Sequence, residues 1–117
     1  MKILVITGSA HKNGNSACLA ENFIRGAKEA GHEVFQFDTA FKTIHPCIAC
    51  ERCNDTGKGC VFEDDMNEVN PKLLEADAVV FVSPIYYYGV SSQIKSVIDR
   101  FYANDAALHN GKQAVLL

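Results

Sequence analysis

Short apolar runs alternate along this chain with segments that have the periodicity of amphipathic helices. Four segments have the character of β-strands, at residues 2–7, 33–38, 78–83 and 113–117. The second mixes apolar with polar residues, as a strand near a sheet edge does, whereas the other three are apolar on both faces. Two segments repeat apolar residues at helical spacing, at residues 16–30 and 91–102. Strands that alternate with helices predict an α/β domain with a parallel sheet and right-handed crossovers.

The first helix has recognisable signals at both ends. Asn15 or Ser16 would cap its start, and Gly31 lies where a helix ends in the left-handed conformation. Cys18, inside this helix, is expected to be a small buried residue. The apolar stripe that faces the sheet is formed by five residues, Leu19, Ala20, Phe23, Ile24 and Ala27.

A further helix is expected shortly before the third strand. Asp65 to Glu68 have the spacing of a reciprocal cap at a helix start. Pro71 would break a continuous helix, so Asn70 and Pro71 are expected to begin a second helical piece. Asp64 and Asp65 are therefore interpreted as helix-capping residues and not as acid–base catalysts.

The last strand has the pattern of a buried inner strand, although no residue follows it to cover or pair with it. A doubly wound sheet of this kind normally has five strands and binds its ligand where the strand order reverses. We therefore interpret residues 1–117 as a single domain that stops in its fourth strand, with a cysteine-rich insertion over residues 39–62.

Composition and charge exclude several classes of partner. A net charge of −3 and a pI near 5.7 predict neither a nucleic-acid partner nor an anionic membrane. The longest apolar runs fall well below the roughly 18 residues of a transmembrane helix, and the run before Thr7 is too short for a signal-peptide core. We therefore expect a cytoplasmic protein, in whose reducing environment the five cysteines are ligands or redox groups.

The loop after the first strand has the residues of a phosphate site. Ser9, Asn13, Asn15 and Ser16 offer hydroxyl and amide donors beside a helix start, whose free N–H groups and dipole attract an anion. His11 can add positive charge. Two glycines would let the backbone turn tightly and approach a ligand, Gly8 and Gly14. The alternative is an ordinary βα loop with good helix caps.

The loop after the third strand contains three consecutive tyrosines. It reads Pro84-Ile85-Tyr86-Tyr87-Tyr88-Gly89 and follows a buried strand at the sheet edge where open α/β proteins bind ligands. Flat rings can stack on an isoalloxazine, and backbone N–H groups can bind its polar edge. A phosphate at the first loop and a flat ring at the second are the two ends of FMN. The alternative is that the tyrosines cover a helix end or an oligomer contact.

Both loops resemble those of the flavodoxin-like NAD(P)H-dependent FMN reductases. Residues Gly8 to Ser16 are similar to that family's phosphate loop, and residues Ser83 to Phe101 are similar to its second flavin loop and the helix that follows. The resemblance spans essentially the whole chain. It implies a flavodoxin-like, doubly wound parallel sheet of strand order 2-1-3-4-5.

The resemblance also implies roles for individual residues. Ser9, Asn15 and Ser16 would hold the phosphate, and Pro84 to Gly89 would line the ribityl chain and the ring system. His11 stands where the family often has arginine, which would make this phosphate contact pH-dependent. The family's third flavin loop follows the fourth strand, where this sequence ends. No catalytic residue is predicted, because the flavin supplies the reactive atom.

Four of the cysteines have the spacing Cys47-x2-Cys50-x2-Cys53-x6-Cys60. The short spacings let three sulfurs converge on one centre, and the longer arm lets a fourth close round it, as in ferredoxins that hold a [4Fe–4S] cluster. The spacing resembles the compact cysteine motif of the iron–sulfur flavoproteins, a branch of the same fold in archaea and anaerobic bacteria. That resemblance implies that all four cysteines ligate a cluster which passes electrons to FMN.

Two other interpretations of these cysteines stay open. Zinc accepts four thiolates, although its usual pattern is two separated Cys-x2-Cys pairs. Relatives of these reductases also carry partial cysteine sets with Gly-x-Cys and a following Asp-Asp-Met, which need not hold a cluster. Gly57 to Cys60 and Asp64 to Met66 match that looser pattern too, so empty or redox-active thiols are the third possibility.

Three functional hypotheses follow. The leading one is an FMN-dependent oxidoreductase that relays electrons between a [4Fe–4S] cluster and FMN. The first alternative is a clusterless reductase of FMN or quinones in which the flavin takes a hydride from NAD(P)H. The second alternative is an incomplete, non-enzymatic metal-binding or interaction module. The partners of the enzyme would be small-molecule or protein electron donors and acceptors, and the exposed last strand predicts a homo-oligomer.

Overall fold

A four-stranded parallel sheet with helices on both faces organises the computed structural model, which describes residues 1–117. The strands are β1 (Lys2–Thr7), β2 (Glu33–Asp38), β3 (Ala78–Val82) and β4 (Gln113–Leu116). The helices are α1 (Asn15–Glu29), α2 (Arg52–Thr56), α3 (Met66–Glu75), α4 (Ser92–Arg100) and α5 (Asp105–Leu108). Two 3₁₀ turns lie at Thr39–Phe41 and Phe101–Asn104.

The strand order is β2-β1-β3-β4, with every pair parallel. This confirms the predicted doubly wound, flavodoxin-like arrangement. β1 lies between β2 and β3, and its last residue Thr7 is opposite Asp38 on one side and Val82 on the other. The carboxyl ends of these three strands therefore meet at one edge of the sheet, where the loops after β1 and β3 begin.

The hydrophobic core has two layers, one on each face of the sheet. On one face α1 packs against β1 and β3, and the buried residues include Val5, Ala20, Ala27 and Val80. On the other face α3 and α4 cover the sheet, and the buried residues include Leu4, Phe37, Met66, Val69, Leu73 and Ile94. Strands that are apolar on both faces are required by this arrangement, as the sequence of β1 predicts.

Helix α1 confirms the predicted position of the element and corrects its details. It begins at Asn15, and its N-cap is Gly14 rather than Asn15 or Ser16. Cys18 is exposed, contrary to the expectation that it is buried, because it lies outside the face formed by the alanines that contact the sheet. Leu19, expected in that face, is also exposed. Gly31 has a φ of +87°, which confirms the left-handed helix end.

Helix α3 runs without interruption through Pro71, so the predicted break at Asn70 is wrong. A proline removes a single intrahelical hydrogen bond, and three buried side chains on one face hold this helix together: Met66, Val69 and Leu73. The predicted reciprocal cap is also wrong, since Asp65 makes no side-chain cap. Instead, the Asp65 carboxylate accepts a hydrogen bond from the backbone N–H of Thr43, 2.7 Å away.

The cysteine segment, defined here as residues 46–63, leaves the sheet layer and returns through a narrow neck. At the neck, Asp65 N donates to Thr43 O (3.1 Å) and His45 N donates to the Asp64 carboxylate (2.9 Å). The segment contains the short helix α2, whose two flanking cap residues, Glu51 and Gly57, are both in the left-handed conformation. The neck places this segment beside the carboxyl end of α4, to which it is also tied by Arg100.

The fourth strand is the least covered part of the sheet. β4 pairs only with β3, and Leu116 is 69% exposed. Its outer edge therefore presents unpaired backbone groups beside an apolar side chain. The structure contains no helix with both the length and the apolar character needed to cross a lipid bilayer.

Candidate functional site

The first part of the candidate site is the loop between β1 and α1. Gly14 caps α1 without a side chain, and the first turn of the helix carries no acidic residue. The N–H groups of that turn therefore keep their hydrogen-bonding capacity and their positive dipole end for an incoming anion. His11 N donates to Ser9 Oγ (3.1 Å), which folds the loop back over its own start.

The structure brings together three of the five residues predicted to hold a phosphate. Ser9, His11 and Ser16 line one cavity of about 430 Å³. Asn13 and Asn15 are exposed and do not line that cavity. The basic side chains of Lys12 and Lys42 line the same cavity, which contributes further positive charge.

Two carboxylates also line this cavity, Asp38 and Glu21. The Asp38 carboxylate at the end of β2 is held by Thr7 Oγ1 (2.6 Å) and Gln36 Nε2 (2.8 Å). These two bonds hold the Asp38 carboxylate against the ends of β1 and β2.

Gly8 has a packing role that differs from the flexibility expected of it. A Cβ built on Gly8 would lie 2.4 Å from Ser91 Oγ and 2.8 Å from two atoms of Ile94. Gly8 N also donates to Val82 O at 2.9 Å. The residue therefore allows the end of β1 to touch the start of α4, which brings the two predicted ligand loops next to each other.

The second part of the site is the loop after β3. Tyr86 and Gly89 exchange two backbone hydrogen bonds of 2.9 and 3.2 Å, so Tyr87 and Tyr88 occupy the two central positions of a tight turn. Both have positive φ, 45° and 71°, as in a type I′ turn, where asparagine and glycine are favoured. Bulky side chains in this region are strained, and such strain is found mainly at binding sites and active sites.

The rings of this turn are almost completely open to solvent. Tyr87 is 95% exposed and Tyr88 93% exposed, and the rings contact each other edge to face with centroids 5.3 Å apart. Ile85 beside them is also exposed, and Tyr86 is partly so. The alternative in which these tyrosines cover a helix end of the same chain is therefore wrong, and the surface is available to another molecule.

The loop is fixed at its base although its tip is exposed. Ser91 N donates to Ser83 Oγ at 2.9 Å, and Ser91 Oγ in turn caps α4 by accepting from Ile94 N. Ser91 is buried against Gly8. The cap of α4 is thus satisfied by its own serine, whereas the start of α1 is not, which makes α1 the better place for an anion.

The third part of the site is the cysteine segment. The four predicted ligands, Cys47, Cys50, Cys53 and Cys60, all line one cavity of about 680 Å³. The remaining walls are largely apolar and come from the segment itself, from the end of α4 and from the turn that follows it. All four cysteines are free thiols, two of them exposed and two partly buried.

The donor set suits thiolate coordination of a metal cluster. Ala49 N lies 3.4 Å from Cys47 Sγ, and Phe62 N lies 3.5 Å from Cys60 Sγ. Backbone N–H donors to sulfur stabilise thiolates and tune iron–sulfur clusters. The structure nevertheless contains no group of three or more Cys, His, Asp or Glu side chains close enough to hold a metal ion. The cysteines therefore share a cavity without forming a closed metal site.

A buried ion pair joins the cysteine segment to α4. Arg100 Nη1 lies 2.6 Å from Asp64 Oδ2, and Arg100 Nη2 lies 3.3 Å from Asp64 Oδ1. Their side chains are only 3% and 6% exposed. Burial alone would raise the pKa of Asp64, but hydrogen bonds from Arg100 and from the backbone of His45 and Met66 outweigh it, so this pKa lies below its ordinary value.

Sequence reasoning missed Arg100, although a signal was present. Arg100 lies three residues after Val97 and six after Ile94, on the buried face of α4. A charged residue on an apolar helix face requires a buried partner. The sequence does not reveal that the partner is Asp64, which was expected only to cap a helix and does so as well by accepting from Met66 N at 3.0 Å.

A second polar contact links the cysteine segment to the turn after α4. Tyr102 Oη donates to the Glu51 carboxylate at 2.8 Å. This hydrogen bond to Glu51, together with the charge of the carboxylate, raises the pKa of Tyr102. Glu51 has a φ of 62°, so the bond is made by a residue in the left-handed conformation between two of the cysteines.

Comparisons with known proteins agree with the fold. The family model for NADPH-dependent FMN reductase matches residues 1–117. The chain is 38% identical over 100 residues to the iron-sulfur flavoprotein MJ1083 of Methanocaldococcus jannaschii, covering 86% of this chain and 51% of that protein. It is 28% identical over 102 residues to the putative NAD(P)H-dependent FMN-containing oxidoreductase YwqN of Bacillus subtilis, covering 86% and 52%.

The fold is also that of solved structures. RosB, crystallised with the intermediate 8-demethyl-8-formylriboflavin-5′-phosphate, has a TM-score of 0.78 and 18% identity, covering 99% of this chain and 50% of RosB. At that identity the similarity shows the fold alone. The chain spans about half the length of the curated relatives that it matches.

Proposed function

The chain belongs to the NADPH-dependent FMN reductase family, and on that premise we propose that it contributes the FMN-binding loops of an FMN-dependent oxidoreductase. The observation that carries the proposal is the juxtaposition of two loops. The loops after β1 and β3 leave adjacent strands at the same sheet edge, and Gly8 brings them into contact. One offers an uncapped helix start and the other an exposed, strained aromatic turn.

The residues of the first loop would bind the FMN phosphate. The free N–H groups of the first turn of α1 would donate to phosphate oxygens, with the hydroxyl groups of Ser9 and Ser16 beside them. His11 and Lys12 would balance part of the charge. Asn13 and Asn15, which are exposed in this structure, stay candidate donors at the mouth of the loop.

The residues of the second loop, Pro84 to Gly89, would line the ribityl chain and the isoalloxazine ring. The exposed rings of Tyr87 and Tyr88 would cover flavin surface, and the strained turn keeps them from packing onto their own domain. When bound, FMN supplies the redox chemistry, by accepting a hydride or single electrons. The role of the chain is to hold the phosphate, orient the ring and exclude water from one side of it.

A comparison of FMN with riboflavin tests this proposal, because only FMN has the phosphate. We expect the chain to bind FMN more tightly than riboflavin, and the difference to shrink in Ser16→Ala. FMN at about 100 times its Kd should add about 2.7 kcal/mol to the free energy of unfolding. Equal affinity for both flavins would contradict the phosphate role. If neither flavin binds or shifts the Tm, the chain is better described as a non-enzymatic module.

We further propose that Cys47, Cys50, Cys53 and Cys60 hold a [4Fe–4S] cluster that exchanges electrons with FMN. Their shared cavity, the two N–H donors to sulfur and the iron-sulfur flavoprotein names of relatives support this. The cavity also adjoins β3, since Phe101 lines it and its ring centroid lies 6.3 Å from that of Phe81, three residues before the loop that begins at Pro84. The electron donors and acceptors would then be proteins or small molecules.

Iron and sulfide analysis tests the cluster. The chain would be reconstituted anaerobically with ferrous iron and sulfide, and iron, acid-labile sulfide and bound FMN would be measured together. We expect a brown protein whose iron content collapses in Cys60→Ser. Cys18→Ser is the matched control, since Cys18 is an exposed cysteine on α1 outside the cavity. Equal loss of iron in both variants would contradict the assignment of ligands.

A clusterless NAD(P)H-dependent reductase is the second candidate, and the similarity to YwqN favours it. A yellow, iron-free protein that oxidises NADPH directly would support this candidate over the iron–sulfur relay. The cysteines would then be free thiols or a zinc site, and zinc analysis of the purified protein separates these two.

A further inference from the structure

Both ends of the cysteine segment are bound to the same residue of α4. Arg100 Nη1 donates to the backbone carbonyl of His45 at 2.9 Å and to Asp64 at 2.6 Å. His45 lies two residues before Cys47, and Asp64 lies four residues after Cys60. A single guanidinium therefore holds the entry and the exit of the segment that carries the four thiols.

Aromatic contacts complete this arrangement. The rings of His45 and Phe62 are stacked, with centroids 3.7 Å apart and planes inclined by 16°. The guanidinium of Arg100 lies over the Phe62 ring, 5.5 Å from its centroid. Phe62 N also lies 3.5 Å from Cys60 Sγ. We call the four residues Arg100, Asp64, His45 and Phe62 the Arg100 clasp.

Stability alone does not explain the clasp. Burying two charges requires removing them from water, and a buried ion pair often contributes little or nothing net to folding compared with apolar residues of similar size. Arg100 Nε is in addition buried without a hydrogen-bond partner, which costs further free energy. The arrangement makes sense if the guanidinium is needed for its geometry, because its planar fork reaches two acceptors in fixed directions.

We propose that Arg100 and Asp64 are positioning residues for the cysteine ligand set. They hold Cys47 and Cys60, the outermost ligands, at a spacing that keeps all four sulfurs facing one cavity. This role rests on the proposed metal-binding function of the cysteines, and neither residue contacts the metal itself. The clasp therefore orders the segment before metal binds. The conformational entropy of the segment is then lost on folding and not when the four cysteines bind the metal.

The proposal is tested first in the metal-free protein, so that it does not depend on a cluster. Amide hydrogen exchange would be measured across residues 46–63 in the wild type, Asp64→Asn and Arg100→Lys. We expect exchange in the segment to accelerate about tenfold or more in both variants, because the segment opens locally once the clasp is broken. Arg100→Lys retains the charge and loses the fork, so its effect separates geometry from charge.

The second arm measures metal retention. The same proteins would be reconstituted with ferrous iron and sulfide, and the half-life of bound iron in a chelator would be followed. We expect the half-life to fall about 10- to 100-fold in Asp64→Asn, as when supporting residues of other metal sites are replaced. The control is Val5→Ala, which lowers stability by removing buried atoms on the opposite, α1 face of the sheet.

The outcomes are distinguishable. Faster exchange and faster iron loss in the clasp variants, with neither in Val5→Ala, support the proposal. Unchanged exchange of residues 46–63 overturns it, and so does equal iron loss in Val5→Ala, because the effect would then follow global stability. If the wild type retains no iron, the cluster proposal fails, and the exchange experiment still decides whether the clasp orders the segment. Should Arg100→Lys fail to fold, Asp64→Asn, which preserves side-chain size, carries the test.

Discussion

At the residue scale, the contact between the end of β1 and the start of α4 depends on the lack of a side chain at Gly8. Gly8 lies between β1 and the start of α4, and no atom heavier than hydrogen fits on its α-carbon without displacing Ser91 or Ile94. Both neighbours are completely buried, so they have little freedom to move. The proximity of the two candidate flavin loops therefore depends on a glycine whose role is steric.

We predict that Gly8→Ala destabilises the protein by about 1–3 kcal/mol, the usual cost of overpacking a filled core. Gly26→Ala is the matched control, because Gly26 lies within α1 and nothing lies within 4 Å of the added methyl group. Alanine is favoured over glycine inside a helix by roughly 0.5–1 kcal/mol, so this change should stabilise. Denaturant unfolding measures both, and effects of equal sign would contradict the steric role.

The lowered pKa of Asp64 predicts a specific loss of stability in acid. A carboxyl group whose pKa is lower in the folded than in the unfolded state binds fewer protons when folded, so stability rises with pH through this range. The contribution of the ion pair is complete above about pH 5 and disappears as the pH falls below the ordinary carboxyl range.

Asp64→Asn should therefore lower the free energy of unfolding by about 3 kcal/mol at neutral pH, because Arg100 is left buried without its counter-charge. The difference between this variant and the wild type should shrink as the pH falls below the ordinary carboxyl range, because the unfolded wild-type chain then binds a proton at Asp64 that the folded chain binds only at lower pH. Glu75→Gln is the control, since the pKa of Glu75 is also lowered, by Lys72 and Lys2, but in an exposed pair. Unfolding curves from pH 3 to pH 7 check the difference, and parallel curves for all three proteins would contradict it.

At the element scale, the turn at Tyr86 to Gly89 has backbone strain that its own contacts do not offset. Two tyrosines occupy left-handed positions, and their rings contact almost nothing but each other. A chain selected only for stability would place asparagine and glycine there. If the turn binds FMN as proposed, it is an element whose binding role lowers the stability of the free protein.

We predict that Tyr88→Gly raises the stability of the flavin-free protein by about 1 kcal/mol, because the strained φ becomes ordinary for glycine. The same change should weaken FMN binding by removing a ring from the flavin surface. Tyr88→Phe is the control that retains both the ring and the strain, and it should change neither property much. Thermal unfolding and FMN titration measure the two effects. A variant that loses stability without losing affinity would refute the proposed role of the turn.

At the scale of the whole molecule, local sequence patterns predict the sheet. They do not predict the contacts between residues that are far apart in the chain. The apolar runs predict all four strands, and the resemblance to the flavodoxin-like reductases implies their order. The positions of the two candidate flavin loops are also predictable, since both follow strand ends directly. The pairing of Arg100 with Asp64, 36 positions away, is invisible in periodicity. Likewise, tertiary packing of α3 overrides the local tendency of Pro71 to interrupt a helix.

The cysteine segment is only partly predictable from the sequence. Its spacing indicates four ligands of one centre, and the structure does place all four thiols round one cavity. The short helix α2 is not predictable, because five residues are too few for a periodic signal. Nor does the sequence indicate that the segment is fixed by side chains outside it.

The open edge of β4 predicts self-association of this chain. Unpaired backbone groups next to Leu116 can pair with a second strand, as exposed edges commonly do. We expect Leu116→Lys to shift the chain towards monomer, because a charge beside the edge opposes pairing. Leu74→Lys makes the same chemical change at an exposed site on α3 and should have no effect. Sedimentation at several concentrations checks this, and unchanged association in Leu116→Lys would exclude the β4 edge as the contact.

The neck formed by Thr43, His45, Asp64 and Asp65 has a consequence for how this fold can diversify. The chain leaves and re-enters the sheet layer at one point. The packing of the sheet therefore depends on the contacts that close the neck and not on the length of the segment beyond it. Doubling the length of a flexible loop costs only about 0.6 kcal/mol in closure entropy. Segments of different size and chemistry can therefore be exchanged at this point while the loops after β1 and β3 are preserved. One scaffold could in this way acquire, lose or replace an inorganic centre by insertion and deletion at a single locus.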